Sequence, residues 1–245
     1  MSGLRSFGKS DIGLRRSNNE DVFIADPESG LFAVGDGMGG AVSGEVASRI
    51  FAETVVEIFS NRPLQSEEDA LDLVKEALRS SNERILNRAR DDPDHKGMGC
   101  TAELVFFYNQ KYFLGHVGDS RTYLFRRGSL KQITRDHSLV QDQIDRGIIT
   151  KDEARSYSMR NVILRAVGIN EALEVDLIRG RTIPGDIFLL CSDGLTDSVE
   201  DSHIEETLSL PGQLHQKVDR LIELAKSAGG SDNITVVLCE LINTR

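Results

Sequence analysis

Four times in this chain an apolar run meets an aspartate flanked by glycine or serine, and this recurrence limits the possible folds more than any other feature. The first case is Phe32-Ala33-Val34-Gly35-Asp36-Gly37-Met38-Gly39-Gly40. A strand is expected from Leu31 to Val34, with Asp36 at its tip and glycines that let the backbone turn and approach a ligand where a Cβ would clash. Asp119 (Gly118-Asp119-Ser120-Arg121), Asp193 (Ser192-Asp193-Gly194) and Asp232 (Gly230-Ser231-Asp232-Asn233) repeat the design. Any one of these is an ordinary turn, because Gly and Asp suit turns for conformational reasons. Together they place carboxylates at strand ends, which in a sheet-based core gather at one edge.

Taken in order, a polar stretch with Glu20-Asp21 leads into a strand at Val22 to Ala25. A turn at Asp26-Pro27-Glu28-Ser29-Gly30 then returns the chain through Leu31 to Val34. This hairpin sets Glu20 and Asp21 beside Asp36, since antiparallel pairing is the cheap connection for so short a loop. A helix from Ser43 carries Val46, Ala47, Ile50, Phe51, Val55, Ile58 and Phe59 on one stripe, and a second starts at Ser66 with Asp69 as a capping box. Strands at Thr101 to Phe107, Tyr112 to Val117, Thr122 to Phe125 and Leu130 to Ile133 read as an antiparallel meander. Residues 137 to 165 lack a continuous apolar face, with short helices at Leu139 to Arg146 and Lys151 to Ser156, and are expected to form a surface flap beside a site. An apolar strand at Asp186 to Cys191, a helix from about Gln213 to Ala228 ending at Gly229-Gly230, and a strand at Ile234 to Leu241 complete the chain.

No linker or composition break divides the 245 residues, so one domain over residues 1–245 is expected. The net charge of −10 argues against nucleic acid as a partner. With no apolar run long enough to span a membrane and no signal-like start, a cytoplasmic protein without membrane contact is expected. Cys100, Cys191 and Cys239 lie in or beside apolar runs, as buried thiols do in a reducing compartment. No heptad run or long exposed apolar stripe suggests self-association, so a monomer is expected.

Two carboxylates 4 Å apart repel by roughly 4 kcal/mol at an effective dielectric of 20, so a cluster must be protonated or bridged by cations. An all-oxygen donor set favours Mg²⁺ or Mn²⁺ over Zn²⁺. Two such ions can ready a water for attack on a phosphoryl group. A guanidinium should then grip the phosphate. Arg16, four residues before Glu20, is placed for this, and spacing alone does not separate it from Arg15.

Arg16-x-x-x-Glu20-Asp21, Gly35-Asp36-Gly37-Met38-Gly39-Gly40, Gly118-Asp119-Ser120-Arg121, Ser192-Asp193-Gly194 and Gly230-Ser231-Asp232-Asn233, in this order, resemble the metal-dependent protein phosphatase family of the 2C type, in its compact bacterial form. The resemblance implies an α+β fold, a four-layer α-β-β-α sandwich of two antiparallel sheets flanked by helices. It also implies hydrolysis of phosphoserine and phosphothreonine in proteins by a water bridging two metal ions, Mn²⁺ or Mg²⁺, in opposition to a bacterial serine/threonine kinase. By the same resemblance, Asp36 bridges the metals, the Gly37 carbonyl binds one, Asp193 and Asp232 complete the other, and Glu20 acts directly or through water. Arg16 binds the substrate phosphate, and Asp21 orients the ligands from behind. A third, weaker ion falls to Asp119 with Asp193, and Asp197 reaches it through water. Asn233 and Ser192 support the loops.

One departure concerns the proton: animal relatives have a His where this chain has Met38, which cannot protonate a leaving alkoxide. His137 could substitute, although a hydrogen-bonded structural histidine is the plainer expectation. Cys100, at a position where relatives carry Thr, is expected in the core. The competing readings are a catalytically silent binding module of the same fold and a phosphatase acting on a regulator of transcription factors.

Overall fold

The computed structural model describes residues 2–39, 43–60, 64–154, 157 and 159–243; Gly40 and the Ser156 end of the expected flap helix lie outside them. The element order begins β1 (Ser2–Asp11), β2 (Asp21–Asp26), β3 (Leu31–Met38), α1 (Ser43–Phe59) and α2 (Glu67–Asp91). Then follow β4 (Gly99–Cys100), β5 (Ala102–Tyr108), β6 (Lys111–Val117), β7 (Arg121–Arg126) and β8 (Ser129–Gln132). The remainder is α3 (Leu139–Asp145), α4 (Lys151–Ala154), β9 (Asp176–Arg181), β10 (Ile187–Cys191), α5 (Asp193–Thr196), α6 (Asp201–Ser209), α7 (Leu214–Ser227) and β11 (Ile234–Asn243).

The strands form two antiparallel sheets. One has the order β1-β11-β10-β7-β8, the other β2-β3-β5-β6-β9, with β4 paired to β3. Alternation of side chains along each strand divides the apolar residues among three layers of contact. On β3, Phe32 and Val34 face the space between the sheets while Leu31 and Ala33 face outward. On β10, Phe188 and Leu190 point inward and Ile187, Leu189 and Cys191 outward. The outward face of the β3 sheet is covered by α1 and α2 through Ala47, Phe51, Val74 and Leu78. That of the β10 sheet is covered by α6 and α7 through Ile204, Leu208, Val218 and Leu221. The result is α+β, with two antiparallel sheets between helical layers.

The helix starts follow local chemistry: Ser66 and Asp69 close the capping box at the head of α2. At the other end of the chain, α7 stops where Gly229 and Gly230 take positive φ values of 131° and 52°. The expected meander is corrected. β5 and β6 pair in one sheet, but β7 and β8 belong to the other, so the chain crosses between layers at Gly118-Asp119-Ser120. Gly118, at φ +112°, makes that crossing possible, and Asp119 therefore sits where the two sheets meet.

Three elements had no clear periodic signal. The first, β1, is an edge strand whose Leu4 packs between the sheets, and at Gly8 a Cβ would lie 2.6 Å from the Phe23 ring. Alternating polar and small residues hid it. The second, β9, is also an edge strand, half exposed along its length, and the third, α6, is nine residues with only Ile204, Thr207 and Leu208 buried. His95 lies in a 3₁₀ turn with 13% of its side chain exposed.

Candidate metal centre

The hairpin of β2 and β3 places Asp21 directly opposite Asp36. Asp21 is locked from behind: its Oδ2 accepts from Ser192 Oγ at 2.7 Å and from Thr235 Oγ1 at 2.6 Å. These hydroxyls lie in the other sheet's strand ends, so Asp21 joins the two layers. Asp36 is held through its backbone by Thr101, whose Oγ1 accepts the Asp36 N–H at 2.9 Å and whose N–H donates to the Asp36 carbonyl at 2.8 Å. Thr101 Oγ1 also meets Ser120 Oγ at 2.7 Å, which ties Asp36 to the turn carrying Asp119.

Gly37 follows Asp36 in a tight passage. Its N–H donates to the Glu20 carbonyl at 3.2 Å, and a Cβ there would lie 2.2 Å from the Gly44 carbonyl oxygen. Only glycine lets the backbone through at that point. Glu20 is oriented by Asn18, whose amide donates to its Oε1 at 2.9 Å, and by Asn233, whose Oδ1 accepts the Glu20 N–H at 2.8 Å. The Asn233 amide also donates to the carbonyls of Ile12 at 3.1 Å and Asn18 at 2.9 Å, so one side chain pins the whole entry loop. Asp193 begins α5 directly after Ser192, at the end of β10. Asp232 Oδ2 receives Arg16 Nη2 at 2.6 Å; Arg15 beside it is exposed.

The electrostatics show how these groups act on one another. Asp36 is pushed well above the usual carboxylate range by burial and then by the charges of Asp21, Asp193 and Asp119. Asp193 is raised likewise by burial and by Asp119, Asp197, Asp232 and Asp21. Burial lifts Asp21 to about 6 and Asp119 to about 7, with Asp136 and Asp197 adding to the second. Residues from six separate stretches thus repel one another in one region. A buried oxygen on each of Asp21, Asp119 and Asp193 has no hydrogen-bond partner among the described residues. Buried polar atoms are ordinarily paired, so orphaned carboxylate oxygens aimed into one acidic site fit hard divalent cations as their missing partners. Beside them a cavity of about 440 Å³ is lined by Asp119, Asp193 and Asp197 on one side and by Ser138, Gln141 and Ile144 of the expected flap on the other.

A family model described as protein phosphatase 2C matches residues 13–238. The serine/threonine phosphatase stp of Listeria welshimeri is 35% identical over 236 residues, which are 95% of this chain and 94% of that protein. The chain belongs to the protein phosphatase 2C family. The serine/threonine protein phosphatase PstP of Mycobacterium tuberculosis is 41% identical over 240 residues, 98% of this chain, although the match spans only 45% of that longer protein. A solved structure of the PstP catalytic domain in complex with 2 manganese ions superposes with a TM-score of 0.90 at 39% identity, covering 99% of this chain and 100% of that one.

Within this phosphatase-2C chain, Thr101, Ser120 and Thr235, the hydroxyls that fix Asp36 and Asp21, do not stand out in the sequence. Thr101 and Thr235 are buried polar residues at the mouths of apolar strands. Their inward, alternating position was the available signal. His137 is structural: it accepts the Gly118 N–H at Nδ1 (3.1 Å) and lies tilted against His116, with ring centroids 4.5 Å apart and 37° between the planes. Cys100 is fully buried, as expected.

Proposed function

We propose that this chain is a metal-dependent protein phosphatase that hydrolyses phosphoserine and phosphothreonine and opposes a serine/threonine kinase. The supporting observation is the set of mutually repelling, partly unpartnered carboxylates around Asp36. The printed names of the relatives, serine/threonine phosphatases over nearly this whole length, support the substrate class. In this reading residues 1–245 form one catalytic domain.

Asp36 and the Gly37 carbonyl, with Asp193, Asp232 and Glu20, are the residues that would hold two Mn²⁺ or Mg²⁺ ions. Asp119, with Asp193, would hold a third that Asp197 approaches through water. When bound, such ions supply neutralisation of the phosphoryl charge and a water acidified for attack. Among the described residues no three acidic, histidine or cysteine side chains already form a closed ligand set. To serve as a ligand, Asp232 would have to be given up by Arg16, which now holds its Oδ2 at 2.6 Å. The guanidinium so released, half exposed and on a loop pinned by Asn233, is the natural grip for a substrate phosphate, which its planar fork suits. Asp21 keeps Asp36 in register from behind, and Met38 has no proton to give a leaving alkoxide. No helix among the described residues is long and apolar enough to cross a membrane. With three buried free thiols this supports a cytoplasmic enzyme, which we take to be a monomer.

The test is hydrolysis of a phosphothreonine peptide and a phosphotyrosine peptide, each with Mn²⁺ and with excess chelator. Turnover of the first alone, and only with Mn²⁺, is expected. Equal turnover in chelator would remove the proposal.

A further inference from the structure

The turn bearing Asp119 is held from two sides, by Thr101 through Ser120 and by His137 through Gly118. Both peptide groups of Gly118 are taken by His137: the His137 N–H donates to the Gly118 carbonyl at 2.7 Å, and the Gly118 N–H donates to His137 Nδ1 at 3.1 Å. Gly118 sits at φ +112°, and a Cβ there would meet Thr101 at 2.6 Å, so the turn has no alternative residue and little room to relax. His137 is also where the flap begins and returns, since its carbonyl accepts the Leu164 N–H at 2.7 Å and its Nε2 lies 3.3 Å from both Asp176 Oδ2 and Arg165 Nη1.

We propose that His137 is a positioning residue for Asp119: its imidazole and peptide N–H together fix the Gly118-Asp119 turn at the point where the two sheets meet. This rests on the reading of Asp119 as a ligand of the weaker cation.

The chemistry behind the ring favours this arrangement. An Nδ1 that accepts from Gly118 must carry no proton, so the ring is neutral with its proton on Nε2, facing Asp176. Burial and the neighbouring His116 charge hold His137 down at about 4, consistent with that tautomer. His116 in turn is kept protonated, up to about 9, because buried Glu103 on its Nδ1 and the Arg135 carbonyl on its Nε2 outweigh its burial. Glu103 is itself anchored by Thr122 Oγ1 at 2.5 Å. A buried ion pair thus forms a back wall, and the neutral ring tilted against it reaches Gly118 and leaves Asp119 free to face the cluster.

Three substitutions separate positioning from bulk packing. The Asn Oδ1 occupies roughly the place of Nδ1, so His137→Asn keeps an acceptor for Gly118. In His137→Gln the polar end reaches instead toward the Nε2 side, and His137→Leu keeps only volume. Mn²⁺ binding to the full chain is read by calorimetry, together with exchange of the Gly118 amide by NMR. His137→Leu and His137→Gln are expected to weaken the weakest Mn²⁺ event about tenfold and to expose the Gly118 amide, since a buried N–H loses its acceptor. The tighter events should be unchanged, and His137→Asn should restore both readouts. In an Asp119→Asn background His137→Gln should have no further effect on Mn²⁺ binding. Equal behaviour of the Asn and Gln variants, or an additive effect in the double variant, overturns the positioning role. Absence of all Mn²⁺ binding to the unaltered chain overturns instead the metal reading on which it rests.

Discussion

The five-residue strand β10 ends in aspartates at both ends, and the two are treated in opposite ways. Asp186, just before the strand, is fully buried and fully paired. Arg126 donates Nε and Nη2 to its two oxygens at 2.7 and 2.6 Å, and the Ile183 N–H adds a third bond at 2.8 Å. Asp193, two residues after the strand, has a buried oxygen with no partner among the described residues and is raised by burial and then by four neighbouring carboxyls. About 20 Å of backbone separates them. At one end the chain supplies its own cation and gains a latch. At the other it assembles anions, and in the proposed function their neutralisation falls to bound cations, at a cost in stability to the ion-free fold.

Exchanging the two ends by mutation gives the largest expected contrast. Asp193→Asn should lower turnover of a phosphothreonine peptide by about 10³ or more, the scale of several kcal/mol of lost charge stabilisation, while making the chelated protein harder to unfold in urea. Asp186→Asn should do the reverse. Turnover per folded molecule stays unchanged and stability falls by about 2–3 kcal/mol, less than for a fully buried pair because the Arg126 side chain is 35% exposed. Matching losses of activity in both variants would erase the distinction.

The dependence on pH sharpens it. In the folded chain Asp21 and Asp119 keep their protons up to about 6 and about 7, whereas an unfolded carboxyl loses its own near 3.9. Between those values the folded state carries more protons than the unfolded, so stability falls as pH rises. Chelated protein should therefore have a higher urea midpoint at pH 5 than at pH 7.5, and saturating Mn²⁺ should abolish the difference. Asp186→Asn should leave that slope intact, and a midpoint that rises over this range would contradict the sign.

A smaller effect separates the neighbouring arginines. Arg16→Ala should raise KM for a phosphopeptide by roughly tenfold, the worth of a charge-assisted contact, with little change for Arg15→Ala. Equal shifts would leave Arg16 without its special place.

The acidic end was far more legible in the sequence than its supports. Asp36, Asp119, Asp193 and Asp232 announce themselves because a charged residue interrupts an apolar run beside glycine, a pattern with few structural causes. The hairpin loop is short enough that Asp21 could only fall near Asp36, and the structure pairs them. Helices α1, α2 and α7 were readable because each buries a full stripe. The edge strands β1 and β9 were not, because half their residues face water and pairing with β11 and β6, rather than composition, holds them. The layer change after β6 was invisible for a related reason. A turn that closes a hairpin and one that crosses to the facing sheet use the same residues, and only the three-dimensional contacts of Thr101 and His137 distinguish them. The far-end latch escaped notice too, since Arg126 and Asp186 are 60 residues apart.

Whether divalent cations complete the anionic cluster around Asp36 is tested most directly by thermal unfolding with added Mn²⁺. Chelated protein should gain melting temperature as Mn²⁺ is added, and Asp36→Asn should start higher and gain little. A melting temperature indifferent to millimolar Mn²⁺, or an Asp36→Asn variant that starts lower and responds as the unaltered chain does, would contradict such a cation site.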